Sequence, residues 1–390
     1  MKFTPLIQSL RRGWLSLGRR WVVVTLMALV PFGITWFFIN MMDSGLPMKV
    51  PAAVVDLDQS ALSRKVTRNL ASSQALAVDY KAESFHEAID DVRAGKIFGF
   101  FYIPENFQRD AISGRGPTLS YYSNMTFFVP GTLAFKGFKT AAVTTTGGVV
   151  QTTLVQSGVN ELAAGALLQP VVINEFGMHN PWLNYNIYLS NSFLAGVVAL
   201  MVLLVTAFTV CDEMKTGSSP QWLRTAGGSM LIALLGKLLP QTIVFSAVGI
   251  GIQSILYGYC HFPLNNHVMH MIMAMVLFVI ACQSLAVIIC SILPNLRLSL
   301  SILSLIGILS FSITGFSFPV QSMYGSVGVF SYIVPLRYYF LIYVDQALNG
   351  IPIFYSRWYY VALLIFPLVS LLGLPRLRRK CLNPVMCRKL

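Results

Sequence analysis

Charge is what this chain has least of. Only 11% of its residues are charged and 55% are hydrophobic, whereas a soluble domain is about a quarter charged. That balance excludes a soluble globular protein and leaves an integral membrane protein. Acid is scarcer than base, with 15 Asp and Glu against 28 Lys and Arg. Cysteine is absent from residues 41–190, so no disulfide framework can staple that stretch. Catalytic motifs are missing too. The nearest approach to a phosphate-binding loop, Leu235-Gly236-Lys237-Leu238, has no upstream glycine at the required spacing and no hydroxyl residue after the lysine. Any ATPase must therefore be another polypeptide. His86 has no G-x-S-x-G partner, which removes a hydrolase. His261, His267 and His270 fall close together, but no carboxylate stands near them to complete a metal ligand set. Cys381 and Cys387 have no nearby histidine. The chain is expected to bind no metal and no cofactor of its own.

What is present is a set of long apolar runs. Six are long enough to cross a bilayer, which takes about 20 mostly apolar residues: 21–39, 192–210, 230–257, 268–293, 298–318 and 358–374. An even number of spans puts both termini on one side. Ionisable residues are nearly absent from these runs, although a proton-coupled carrier buries Asp, Glu or His along its path. The polar residues inside them are Thr206, Gln283 and Ser284. They either bond between helices or line a substrate pathway.

The basic residues crowd at membrane edges, which argues against nucleic acid as a partner. Lys2, Arg11, Arg12, Arg19 and Arg20 precede the first run, and Arg376, Arg378, Arg379, Lys380, Arg388 and Lys389 follow the last. Lys215, Arg224, Lys237 and Arg297 lie in or beside loops of the same side. By the positive-inside rule that side is the cytoplasm. Residues 41–190 carry 11 basic and 12 acidic residues, close to neutral, and are expected outside. The first run is too long for a signal-peptide core and no clean cleavage site follows it. It reads as a retained anchor, kinked at Pro31 and Gly33, which a membrane helix tolerates.

Residues 211–228, CDEMKTGSSPQWLRTAGG, separate the second and third spans. The segment mixes Asp212, Glu213, Lys215 and Arg224 with Met214, Trp222 and Leu223. It reads as a short amphipathic helix on the membrane surface. Either it is an interfacial helix with a tryptophan anchor, or Trp222 and Leu223 form a face on which a partner docks.

Outside, strands and helices alternate. Strands are expected at 50–56, 75–80, 97–103, 118–122 and 169–174, and helices from Asp58 or Ser60 through Leu70, from the S-x-x-E capping box of Ser84 and Glu87 to Gly95, and over 104–112 ended by Gly114. Residues 127–165 read as a long helix or broken helical hairpin outside the membrane, given Lys136, Lys139, Glu161 and many threonines.

Three stretches together resemble the permeases of ABC-2 type transporters. First, that family carries a Glu followed four residues later by Gly-Thr, then a Leu-Leu pair, then Gly-Lys opening the next span. Here Glu213 is followed by Gly217-Ser218, Trp222-Leu223, Gly236-Lys237 and Pro240. Lys215, Ser218 and Ala226 stand where the family has Glu, Thr and Pro. Second, VVDLDQSALSR at 54–64, the Gly95 turn, IPENF at 103–107, Ser123-Asn124 and Asn180-Pro181 resemble the large domain that some of these permeases insert between their first two spans. Third, TGFSFPVQSM at 314–323, VPLRYYF at 334–340 and LNG at 348–350 are similar to the family signature of two short helices dipping back into the outer leaflet, with Gly315, Pro319, Pro335, Arg337 and Tyr338 as its matching residues.

The resemblance implies a polytopic α-helical membrane protein: six transmembrane helices plus a re-entrant outer helical hairpin, with an α+β extracytoplasmic domain. The chain would divide into a cytoplasmic segment 1–20, a first span 21–40, the outer domain 41–190, spans two to six over 191–375 with a coupling loop 211–228 and a re-entrant segment 319–350, and a basic tail 376–390. It implies a bacterial inner-membrane exporter subunit without its own ATPase. The partners would be an ABC ATPase subunit carrying ATP and Mg, a second identical or paralogous permease, and an envelope adaptor. Glu213, Gly217, Ser218, Trp222 and Leu223 would couple to the ATPase. The rival class is a membrane receptor or scaffold that transports nothing, recognisable by the absence of any ATP-binding partner.

Overall fold

The computed structural model describes residues 3–43, 45, 48–73, 76–113, 115–168, 179–180 and 184–382. It opens with helix α1 (Phe3–Arg19), in which Ser9, Gly13 and Leu17, spaced by four, form the buried stripe. Helix α2 (Trp21–Met41) follows after one residue and stays continuous through Pro31 and Gly33. Thr35 Oγ1 there donates 2.7 Å to the Pro31 carbonyl.

The chain then forms a separate compact unit spanning 44–176. Its elements are β1 (Val50–Asp56), α3 (Ala61–Ala71), β2 (Leu76–Lys81), α4 (Phe85–Arg93), β3 (Gly99–Ile103), α5 (Phe107–Ile112), β4 (Ser120–Ser123), α6 (Phe128–Gln156) and α7 (Glu161–Leu168). The sheet order is β2-β1-β3-β4, with β1 parallel to both neighbours and β4 antiparallel to β3. Both faces of β1 are covered, which is why it reads as an unbroken apolar run. Ala52 and Val54 face Val66 and Leu70 of α3 and Ala134 and Phe138 of α6. Ala53 and Val55 face Ala88 of α4.

Local signals explain the boundaries. Ser60 Oγ accepts from the Ser63 amide and opens α3. Ser84 Oγ accepts from the Glu87 amide, while Glu87 Oε2 accepts from the amide of Glu83, one residue earlier than a standard capping box. Gly95, at φ +73°, ends α4 in the left-handed conformation that costs a glycine least. Helix α5 starts at Phe107 and not at 104, because Asn106 is left-handed (φ 61°). The 54–64 motif acts as a tie: Asp56 Oδ1 accepts from the amides of Asp58 and Gln59, and Asp58 Oδ2 from the amide of Gln108. Helix α6 runs straight through Gly147-Gly148, and its threonines 140, 144, 145, 146, 152 and 153 each donate to the carbonyl four residues back. The strand expected at 169–174, the stop at Gly114 and Pro181 lie outside the described residues.

The second unit holds residues 1–43 and 177–390. After α2 it contains α8 (Tyr185–Lys215), α9 (Ser219–Thr225), α10 (Met230–Ser254), α11 (Val268–Ile292), α12 (Leu296–Ile313), α13 (Gly325–Ser331), α14 (Pro335–Tyr343) and α15 (Ile353–Leu382). Asn184 caps α8 and Asn295 caps α12, each accepting two backbone amides. Helices α2, α8, α10 with its π-helical extension to Tyr259, α11, α12 and α15 are long and apolar enough to cross a membrane. Small residues let helices close on one another: Gly196 of α8 receives Phe311 of α12, and Gly307 of α12 receives Leu200 of α8. Helix α13 and the continuous segment 335–348 meet at an 80° bend.

Candidate functional site

The 31 residues of α8 would extend about 46 Å at 1.5 Å per residue, well beyond a hydrocarbon core of about 30 Å. Its last turn is where the charged residues gather. Cys211–Lys215, expected as the start of a loop, continues the helix, and the chain turns only at 216–218 before α9. Glu213 is buried there, and three groups converge on it. Lys237 Nζ of α10 lies 2.6 Å from Oε1, Arg12 Nη2 of α1 lies 3.1 Å from Oε2, and the Ser218 hydroxyl donates to Oε2. One residue back, Asp212 pairs with Arg20. Lys237 also sits 4.7 Å over the Trp222 ring, a cation–π contact that favours a buried ammonium.

Trp222 and Leu223 correct one expectation. They form no outward docking face. Both are buried in the main core of this unit, and Trp222 Nε1 donates 3.2 Å to the Ala233 carbonyl. A short helix whose indole reaches back between its own spans removes the most apolar area from water that way. Ser219, at the start of α9, is buried and donates to the Cys381 carbonyl near the end of α15. What α9 leaves exposed is Gln221 and Arg224. Gly217, at the turn, is half-buried.

Helix α1 completes the site, and it was not legible as a structural partner. It packs along α10 through two small residues. A Cβ on Gly13 would strike the Gly236 carbonyl, one on Gly236 would strike Ser9, and Ser9 Oγ donates 3.2 Å to the Ile232 carbonyl. In the sequence Arg12 and Arg20 read as orienting charges, and Lys237 as an orienting charge and as part of the Gly236-Lys237 pair. The available signal was the recurrence of Leu6, Ser9-Leu10, Gly13 and Leu17 on one stripe with arginines beside it.

This constellation of Glu, Gly-Ser, Trp-Leu and Gly-Lys joins two spans through a helix of one to two turns. The chain also matches, over residues 19–374, the family described as ABC-2 family transporter protein. The chain belongs to the ABC-2 family. It is thus a multi-pass membrane component of an ABC-type transporter, a family whose ATPase is a separate subunit. No curated protein and no solved structure matches it.

The other ABC-2 signature residues come together at the far end of the spans. Arg337 is buried on α14, donates 3.2 Å to the Thr314 carbonyl and stacks 4.8 Å over the Tyr332 ring. Gly315, at φ +98°, leaves no room for a side chain, since a Cβ would meet Val320 and the Arg337 guanidinium. Tyr338 Oη donates 2.9 Å to the Tyr332 carbonyl. Pro335 opens α14 where its missing N–H costs nothing, and Pro319 precedes a 3₁₀ turn at Val320–Ser322.

The polar residues within the ABC-2 spans part company. Gln283 accepts 2.8 Å from Thr242, and the Ser284 hydroxyl donates to the Ile280 carbonyl. Both line one leucine-rich cavity of about 200 Å³ between α10, α11 and α15. Thr206 is fully buried on α8, lines none of that cavity, and its hydroxyl has no hydrogen-bond partner among the described residues. His270 Nδ1 is 2.9 Å from the Gln346 amide oxygen. Among the described residues no group of three or more His, Cys, Asp or Glu could hold a metal ion.

Proposed function

We propose that this chain is the membrane-spanning subunit of an ATP-driven exporter, moving a drug-like, lipophilic or other envelope-directed compound out of the cytoplasm or the inner leaflet. Two such permeases, identical or paralogous, pair over two ATPase subunits that bind ATP and Mg. The complex sits in a bacterial inner membrane with both termini cytoplasmic, 41–190 as the extracytoplasmic domain available to substrate or an envelope adaptor, and 319–350 as a re-entrant hairpin in the outer leaflet.

The observation that carries the reading is the attachment of α9. Trp222 locks it to α10, Leu223 is buried in the same core, Ser219 ties it to α15, and Ser218 with Glu213 and Lys237 ties it to α8 and α10. A helix clamped to three spans transmits a push on its exposed face as a rigid lever. In this reading Glu213, Gly217, Ser218, Trp222 and Leu223 act by transmission, and Gln221 and Arg224 meet the ATPase.

The test is co-purification and turnover. The tagged chain, drawn from its native membranes, should bring an ATP-binding subunit with it. Gln221→Glu with Arg224→Glu should cut that association at least tenfold while leaving the thermal midpoint of the chain unchanged. Recovery of no ATP-binding subunit would instead favour a receptor or scaffold.

A further inference from the structure

Beside the Glu213 cluster lies an open groove of about 540 Å³, lined by Gln8, Arg11, Arg12, Ser16, Arg19 and Arg20 against Glu213. Its charge is unbalanced. Four guanidiniums face one carboxylate, and that carboxylate is already shared by Lys237, Arg12 and Ser218. Arg20 is engaged by Asp212. Arg11 and Arg19 are exposed and pair with no carboxylate among the described residues. They stand on α1, whose backbone is pinned to α10 at Gly13 and Gly236, so the groove is built and not a mobile tail.

Depth supplies the second argument. Arg20 directly precedes Trp21, the first residue of span α2, and Glu213 is two residues from the end of span α8. A groove fixed at two span ends lies in the headgroup layer, where phospholipid phosphates sit. The other exposed residues of α1 fit that layer: Trp14, Ile7 and Leu15 project outward between the arginines, the pattern of an interfacial amphipathic helix. Basic pockets at span ends take anionic headgroups, and guanidiniums bind phosphate oxygens bidentately.

We infer that this groove binds the phosphate of an anionic phospholipid headgroup, with Arg11 and Arg19 as its principal ligands and Gln8 and Ser16 as additional hydrogen-bond donors. Arg12 links the site to Glu213, so an occupied groove holds α1 against the last turn of α8. This goes beyond the exporter reading and does not depend on an ATPase.

The experiment is native mass spectrometry of the full-length chain in detergent, titrated with phosphatidylglycerol or phosphatidylcholine. Phosphatidylglycerol should be retained in preference. With each guanidinium near a lipid surface worth about 1 kcal/mol, Arg11→Gln with Arg19→Gln should weaken its retention about 30-fold. Lys215→Gln, exposed but outside the groove, should change nothing. Equal retention of both lipids, or undiminished retention by the double variant, would overturn the inference. Displacement of phosphatidylglycerol by millimolar inorganic phosphate would assign the site to a free phosphate and overturn the lipid. If the double variant kept its lipid but lost an ATP-binding subunit, the groove would belong to a protein partner instead.

Discussion

Removing the Glu213 carboxylate should unfold the spans more readily than removing any one of its partners. Lys237 and Glu213 are 2.6 Å apart with 7% and 9% of their side chains exposed. At that distance their attraction is about 6 kcal/mol at an effective dielectric of about 20, and burying the two ions costs several kcal/mol each. The pair therefore nets little, but a single survivor is expensive. Glu213→Gln leaves the Lys237 ammonium buried with only the Trp222 face and an amide oxygen, and should cost about 3–5 kcal/mol. Lys237→Met should cost less, because Glu213 keeps Arg12 and Ser218. Arg12→Gln should cost about 1 kcal/mol, since Arg12 is a quarter exposed and solvent replaces much of its contact. The double variant Glu213→Gln with Lys237→Met removes both charges and should recover most of the loss. A thiol-reactive dye during heating reads this directly, because Cys211, Cys282, Cys290 and Cys381 are buried while Cys260 gives a steady background. A loss of that size corresponds to a midpoint roughly 6–10 °C lower for Glu213→Gln. If Glu213→Gln shifted the midpoint no more than Arg12→Gln, or if the double variant were no better than the single, the charges would not be coupled and buried as described.

Two further outcomes follow from the geometry. In a cysteine-free background, a cysteine at the exposed Ser157 should label with an impermeant maleimide in intact cells and one at the exposed Gln221 should not; Ser219 is unsuitable as a probe because it is buried. Labelling at Gln221 alone would reverse the proposed orientation. In the 44–176 unit, the Lys96 ammonium 2.7 Å from Asp91 holds that carboxyl below its usual range, and the Tyr80 hydroxyl does the same for Glu87. A depressed folded pKa contributes stability above the unfolded value of about 4 and loses it as pH falls through the folded one. Protection of the β3 amides, read as hydrogen exchange relative to the intrinsic rate, should therefore fall below about pH 4, and Asp91→Asn should flatten that acid limb; an unchanged limb would refute the assignment.

Much of the architecture could be read from the chain because it is written locally. Spans announce themselves by length and apolarity, and Ser60, Ser84 and Gly95 mark helix ends within four residues. The segment 211–228 was legible as a motif yet not as a structure. Nothing local distinguishes a tryptophan that turns inward to the Ala233 carbonyl from one that anchors in the interface. The role of Arg12 and Lys237 was hidden for a related reason. Charge counting assigns every basic residue near a membrane edge the same meaning, and only the fold shows that one of them is enclosed. The late start of α5 depended on a single left-handed residue, Asn106, between the expected start and the observed one.

The contact between Gly13 and Gly236 also orders events in time. Helix α1 leaves the ribosome before α10, and the surface it closes on is made more than 200 residues later. Until α10 is synthesised, α1 can meet Glu213 of the completed α8 but has no Gly236 backbone to close on. Lys237 follows Gly236 immediately, so the residue that seats α1 and the one that neutralises Glu213 arrive together. A chain halted before this point would carry its earlier elements and still lack its latch, which gives quality control a clear mark of incompleteness: an undocked α1.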